Sequence, residues 1–147
     1  MSLIKITTKD RYALRMMVEL AETAGTRFVS LRDVSQSIDV SKKYLEQIVP
    51  SLVQAGLLAT VRGPLGGYRL AKPANEISVA EILRATDGGT PPVSCVADPA
   101  ACGRSRACPT IRLWKDLDDL VNGYLSKLSL QQLVEQHQAI ISSSWVI

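Results

Sequence analysis

The chain has 147 residues, 46% of them hydrophobic, enough for one domain with a core plus an appended element and with no need of disulfides to fold. No apolar run reaches the roughly 18 residues of a membrane span, and the stretch "MSLIKITTKDRYALRMM" lacks the layout of a secretory signal, so the expectation is a cytoplasmic protein with no membrane partner. Net charge is only +3, yet residues 1–72 carry 11 Lys/Arg against 6 Asp/Glu while 73–147 carry 6 against 8, which makes the N-terminal half the candidate for polyanion contact.

From Thr8, the residues Tyr12, Ala13, Met16, Met17, Leu20, Ala21 and Ala24 recur at helical spacing up to Gly25, and predict a first helix. In "SLRDVSQSIDVSKKYLEQIVPSLVQAGLL" two helices follow in quick succession. Ser30 caps the first, with Asp33 three residues on, and Ser41 caps the second after the turn "IDV". Two helices joined by a tight turn make a helix-turn-helix. In the second, Tyr44, Leu45, Ile48, Val49 and Leu52 are expected to face inward, leaving Lys42, Lys43, Glu46, Gln47 and Ser51 outward, residue types that reach phosphates and base edges. Pro50 lacks an N–H and crowds the preceding turn, so a kink or break is expected near Val49.

The stretch "LLATVRGPLGGYRLAK" holds two β-prone runs around "RGPLGG", which reads as a two-stranded wing with a Gly/Pro-rich tip. Arg62 and Arg69 flank that tip, and with Gly63 they form the part suited to a minor groove, while Lys42 and Lys43 begin the reading helix, where the dipole also favours phosphate. Glu46 near DNA repels phosphate unless it accepts a bond, for example from a cytosine amino group; otherwise it is an ordinary exposed helix residue. "SVAEILRATDGG" predicts a helix with a Ser78/Glu81 capping box and a stop at Gly88 and Gly89. Beyond a loop at roughly 90–108, the residues Trp114, Leu117, Val121, Tyr124 and Leu128 alternate spacings of three and four. They mark a narrow apolar seam on a long helix, which is expected to meet its copy in a second subunit. A last helix begins at Ser129, with Gln132 in the box position.

All three cysteines, Cys95, Cys102 and Cys108, fall in "SCVADPAACGRSRACPTIRLW". An odd count in a reducing compartment argues against a disulfide framework, leaving metal, cluster, redox chemistry or plain thiols. The spacing is not a general ferredoxin or zinc-finger signature, and zinc would lack its usual fourth ligand, since no histidine is near. Cys108, followed by Pro109, is expected at a helix N-terminus, where the dipole favours thiolate.

Taken in order, "TTKDRYALRMM", "VSKKYLEQIVPSLVQAGLLATVRGPLGGYRLAK", "ISVAEILRATD" and the three-cysteine loop followed by "RLWKDL" resemble the family of winged-helix regulators that includes the iron-sulfur cluster regulator IscR and the nitric-oxide-sensing repressor NsrR. The resemblance covers nearly the whole chain. It implies a homodimeric transcription regulator on a pseudo-palindromic operator in double-stranded DNA, with a [2Fe-2S] or [4Fe-4S] cluster held by Cys95, Cys102 and Cys108 in the cluster-bearing branch. In IscR-like members a histidine three residues after the third cysteine completes the site, but Ile111 stands there, and the only histidine is His137. In NsrR-like members a carboxylate near the start of helix one, from the other subunit, does so. Asp10 lies one residue from that position, making it a candidate fourth ligand, the alternative being an acid favoured there by the helix dipole.

The expected architecture is mainly α: a winged helix-turn-helix domain over residues 1–89, then the cysteine loop, a long dimerisation helix and a C-terminal helix over 90–147. No Gly-rich phosphate loop followed by Lys-Ser/Thr is present, so an enzyme is not expected. The competing readings are a regulator with metal-free thiols that senses thiol or cysteine metabolism, a winged helix used only for protein contact, and a thiol enzyme.

Overall fold

The computed structural model describes residues 6–23, 27–87 and 108–144. Cys95, Cys102 and the expected stop at Gly88 and Gly89 lie outside the described residues. Within them the order is α1 (Thr8–Thr23), α2 (Leu31–Ile38), α3 (Lys42–Gln54), β1 (Leu58–Val61), β2 (Gly67–Leu70), a 3-10 turn (Ala74–Glu76), α4 (Val79–Asp87), α5 (Ile111–Lys127) and α6 (Leu130–Ser144). No helix among them is long and apolar enough to cross a membrane.

The helix starts follow from short polar side chains that satisfy orphan N–H groups. The Ser30 hydroxyl accepts from Asp33 N–H and that of Ser41 from Tyr44 N–H, each at 3.1 Å. Ser78 and Glu81 close a reciprocal box, the Ser78 N–H donating to Glu81 at 2.8 Å and the Glu81 N–H to Ser78 Oγ at 3.1 Å. Ser129 and Gln132 repeat it at 2.8 and 3.1 Å.

The core gathers Met16, Met17 and Leu20 of α1, Val34 and Ile38 of α2, Leu45, Ile48 and Leu52 of α3, and Ile77 and Ile82 around α4. It extends past residue 89, the boundary expected for the first unit, because Leu130 of α6 is fully buried within it. That side chain contributes about 1.5–3 kcal/mol over an exposed leucine. The junction of α5 and α6 is also clamped to the start of α4: Val79 N–H donates to Leu128 O and Leu130 N–H to Ile77 O, both at 2.8 Å. His137 of α6 pairs through Nδ1 with the Glu22 carboxylate of α1 at 2.6 Å.

Of the kink or break expected at Pro50, the break is corrected. Instead of breaking near Val49, α3 runs through Pro50 to Gln54. The proline leaves the Glu46 carbonyl without its helical donor, but Glu46 and Pro50 are both on the exposed side, where water serves that oxygen.

Candidate nucleic-acid interface

The turn between α2 and α3 is held from three directions. Asp39 adopts the left-handed conformation (φ 54°) that ends α2. Val40 N–H donates to Ser35 O at 3.2 Å, the Ser35 hydroxyl donates to Val40 O at 2.5 Å, and the Arg15 guanidinium of α1 donates to Ile38 O. Arg15 also lies over the Tyr12 ring, which meets Tyr44 of α3 edge-on at 5.3 Å between centroids. Tyr44, expected to face inward, does so in part; the roles of Tyr12 and Arg15 as braces of α3 are not evident from sequence. Their only sequence trace is the one-turn spacing of an aromatic and a cation on α1.

On α3, Lys42, Lys43, Glu46 and Gln47 are all exposed on the first two turns. Lys42 Nζ is 3.8 Å from Glu46, an exposed i,i+4 pair of small energetic worth that a phosphate can readily displace. Ser51 differs from the other four: it is half-buried, and its hydroxyl donates to Ile48 O at 2.8 Å.

The wing is an antiparallel pair in the register Leu58 with Leu70, Ala59 with Arg69, Thr60 with Tyr68 and Val61 with Gly67. Val29, just before α2, adds an isolated bridge to the outer side of β2, exchanging two hydrogen bonds with Tyr68 at 2.9 and 2.8 Å. This close approach needs a glycine at position 67, because a Cβ there would overlap the Val29 carbonyl and lie 2.9 Å from Ser30 N. The tip bends at Gly63 (φ 112°) and closes through Gly66 N–H to Gly63 O at 2.9 Å. Arg62 is exposed beside it. Arg69 is half-buried, with its guanidinium 4.4 Å from the Phe28 ring centroid, so β2 carries it toward the segment before α2.

Of the cysteine segment, Cys108 is described. It is half-buried two residues before the Thr110 N-cap of α5, with Sγ 3.3 Å from the Thr110 hydroxyl. That hydroxyl first, then the Thr110 N–H, lower the thiol pKa, with slight burial opposing and the Ile111 N–H assisting. Asp10 is buried. One carboxylate oxygen accepts from the Thr7 N–H (3.1 Å) and hydroxyl (2.8 Å), and the other from the Thr86 hydroxyl of α4 (2.5 Å). With Asp10 N–H donating back to Thr7 Oγ1 at 3.1 Å, this residue closes the cap of α1 and ties it to α4. No group of three or more metal-ligating side chains converges among the described residues.

A family model for Rrf2, an iron-dependent transcriptional regulator, matches residues 6–136. The chain is also 39% identical to the HTH-type transcriptional regulator IscR of Photorhabdus laumondii, over 93% of this chain and 83% of that one. It belongs to the Rrf2 family. Two solved Rrf2-type structures are similar throughout: CymR (YrzC), the global cysteine regulator of B. subtilis, at 36% identity and TM-score 0.73, covering 90% of this chain and 98% of that one, and T. potens IscR at 28% identity and TM-score 0.73, covering 91% and 88%. Membership makes the chain a transcriptional regulator rather than an enzyme, and its helix-turn-helix and wing are the winged-helix fold of Rrf2 regulators.

The long helix α5 departs in one respect from the seam read in the sequence. Trp114, Leu117, Val121 and Leu128 are half-buried, whereas Tyr124 is 65% exposed and is joined by Leu113 (57%) and Leu120 (71%). At about 100° per residue, Leu113, Leu117, Leu120 and Tyr124 fall within about 60° of one another, while Trp114 and Val121 lie roughly a quarter-turn away. Two adjacent apolar stripes share this helix, and the outer one is uncovered in the single chain at Leu113, Leu120 and Tyr124.

Proposed function

We propose that the chain acts as a homodimer on a pseudo-palindromic operator in double-stranded DNA, with its affinity set by the chemistry of Cys95, Cys102 and Cys108. The observation that carries the DNA reading is the joint exposure of Lys42, Lys43 and Gln47 on α3 and of Arg62 at the wing tip. The first turns of α3 enter the major groove, Glu46 and Gln47 read base edges, and Arg62, Gly63 and the rest of the tip follow the minor groove. Ser51 and Arg69, whose side chains are engaged within the chain, orient these groups more than they reach DNA. The outer stripe Leu113, Leu117, Leu120 and Tyr124 is the dimer face, as an apolar stripe of this kind on a soluble regulator calls for a partner. Trp114, Val121 and Leu128 back it from the domain side. The dimer presents two α3 helices about 34–36 Å apart, one helical turn of DNA.

The group assigned to the three cysteines is an iron-sulfur cluster, [2Fe-2S] in the first instance and [4Fe-4S] as the alternative. When bound, it supplies a centre responsive to redox, iron-sulfur or nitric-oxide status. The described part of the donor set fits, since Cys108 is biased toward the thiolate that ligation requires. Asp10 is engaged by Thr7 and Thr86, so it serves here as a brace, and its recruitment as a ligand would cost the bonds joining α1 to α4.

A second reading, regulation by metal-free thiols, is favoured by the same lowered pKa and by the likeness to CymR, a cysteine regulator by name. The visible spectrum and iron content of anaerobically purified protein separate the two. Thiolate-to-iron charge-transfer bands support the cluster. Their absence after anaerobic reconstitution with iron and sulfide, together with unchanged DNA regulation in the triple Cys→Ala protein, refutes it. Nuclease footprinting tests the DNA reading and is expected to give a two-fold symmetric pattern. Lys43→Ala and Arg62→Ala are expected to weaken binding to all sequences and to lower its salt slope by about one counterion for each phosphate no longer neutralised.

A further inference from the structure

Leu65 is 95% exposed, the most exposed large hydrophobic side chain among the described residues. A single exposed leucine is ordinarily unremarked surface; its mounting sets this one apart. Gly63 to Gly66 form a turn closed by the Gly66 N–H to Gly63 O bond, which puts Pro64 and Leu65 at its two central positions. Pro64 fixes its own φ. Leu65 stays out of the left-handed region, the only positive-φ non-glycine among the described residues being Asp39. Gly66 is so close to the backbone of Val61 and Arg62 that a Cβ has no room there, and a Cβ would meet Gly63 O at 2.9 Å. The result is a stiff apical leucine flanked by glycines and a proline, with the exposed Arg62 behind it and no side chain to shield it from whatever the tip meets.

We infer that Leu65 is an apolar wedge that the wing presses against a flexible pyrimidine–purine step in the DNA minor groove, partly unstacking it. The inference rests on the DNA-binding reading above. Charge complementarity names the occupant: Arg62 at the base of the tip draws in a polyanion, and of such partners a DNA minor groove offers a deep, narrow site with a floor that opens for aliphatic wedges. Leu65 thereby adds selectivity for deformable steps at positions where the wing makes no hydrogen bond to a base. Arg62 supplies the electrostatic part of the same contact.

The test uses the full chain and a duplex enriched from a random library by that chain, with 2-aminopurine placed in turn at the pyrimidine–purine steps of each half-site. The parent is expected to raise 2-aminopurine fluorescence at one symmetry-related step. Leu65→Ala abolishes that rise and lowers affinity about tenfold, the scale of uncovering most of one leucine side chain, with the salt slope unchanged. Leu65→Met, also an aliphatic wedge, retains both. Arg62→Ala lowers the salt slope yet keeps the fluorescence rise. Because the Leu65 side chain stands almost wholly in solvent, its variants melt with the parent, and a lowered affinity cannot be put down to misfolding. A parent complex without any fluorescence rise overturns the wedge, as does a Leu65→Ala protein with parental affinity and signal, and both leave DNA binding intact. Failure of the library to enrich with the parent overturns the underlying DNA reading, a result distinct from either.

Discussion

Gly67→Ala examines the joint between wing and helix-turn-helix. The added methyl would overlap the Val29 carbonyl and sit 2.9 Å from Ser30 N, so β2 and the Val29 segment must separate. The separation breaks the two hydrogen bonds that Val29 and Tyr68 exchange at 2.9 and 2.8 Å. Each contributes about 0.5–1.5 kcal/mol net, so their joint loss costs about 1–3 kcal/mol. Reduced freedom of the unfolded chain returns about 0.4–1 kcal/mol, for a net destabilisation of about 1.3 kcal/mol at the middle of these ranges and about 2.6 kcal/mol at most, in a domain whose whole stability is about 5–15 kcal/mol. Urea unfolding followed by far-ultraviolet circular dichroism, at one fixed protein concentration, reads this as a lowered midpoint with little change in slope. Amide hydrogen exchange locates it: the Val29 and Tyr68 amides lose protection while those of α1 keep theirs. A midpoint equal to or above the parent's, with both amides still protected, would refute the reasoning.

Glu81 accepts the Ser78 N–H, which lowers its pKa against the opposing effect of burial, with Lys72 at 3.2 Å assisting. A carboxyl group depressed on folding adds stability in full above its unfolded pKa, and that contribution is lost as pH falls through the folded value. Glu81→Gln is therefore expected to lower the urea midpoint near neutral pH and to converge on the parent in acid; an equal gap at both would count against the charge. Leu120→Glu places a charge in the outer stripe of α5 and is expected to raise the dimer dissociation constant at least tenfold, about 1.4 kcal/mol, by sedimentation equilibrium, whereas an unchanged dimer puts the interface elsewhere. In metal-free protein, Thr110→Val removes the hydroxyl that most lowers the Cys108 pKa. Its iodoacetamide modification at neutral pH, followed by peptide mass spectrometry, is expected to slow, and an unaltered rate would show that the hydroxyl has no hold on the thiol.

The parts of the fold legible in the sequence are those governed by local chemistry. Ser30, Ser41, Ser78 and Ser129 each stand before an apolar-periodic run and each caps a helix, and "RGPLGG" bends where a turn between two β-prone runs must. Less legible are features decided by which face meets which neighbour. The seam read through Trp114, Leu117, Val121 and Tyr124 merges two stripes that lie about a quarter-turn apart on the helix, and periodicity carries no sign of whether the partner of either is α4 or another chain. Pro50 obeys the helix in which tertiary packing holds Ile48, Val49 and Leu52, overriding a local preference. Asp10 looks like a free acid at a helix start, and only the folded chain brings Thr86 to it across 76 residues.

The clamp between Ile77–Val79 and Leu128–Leu130 gives α5 the mechanics of a lever with a fixed fulcrum. Its 17 residues reach about 25 Å from that pivot to the end beside Cys108. A tilt of about 10° moves the free end by roughly 4 Å, by the same helix length, while the pivot end stays put. In the proposed regulator, a displacement at the thiol end would act on Ser78, the residue that caps α4, the helix that Thr86 and Asp10 couple to α1. The two backbone hydrogen bonds of the clamp thus tie the far end of the helix that follows Cys108 to the start of α4.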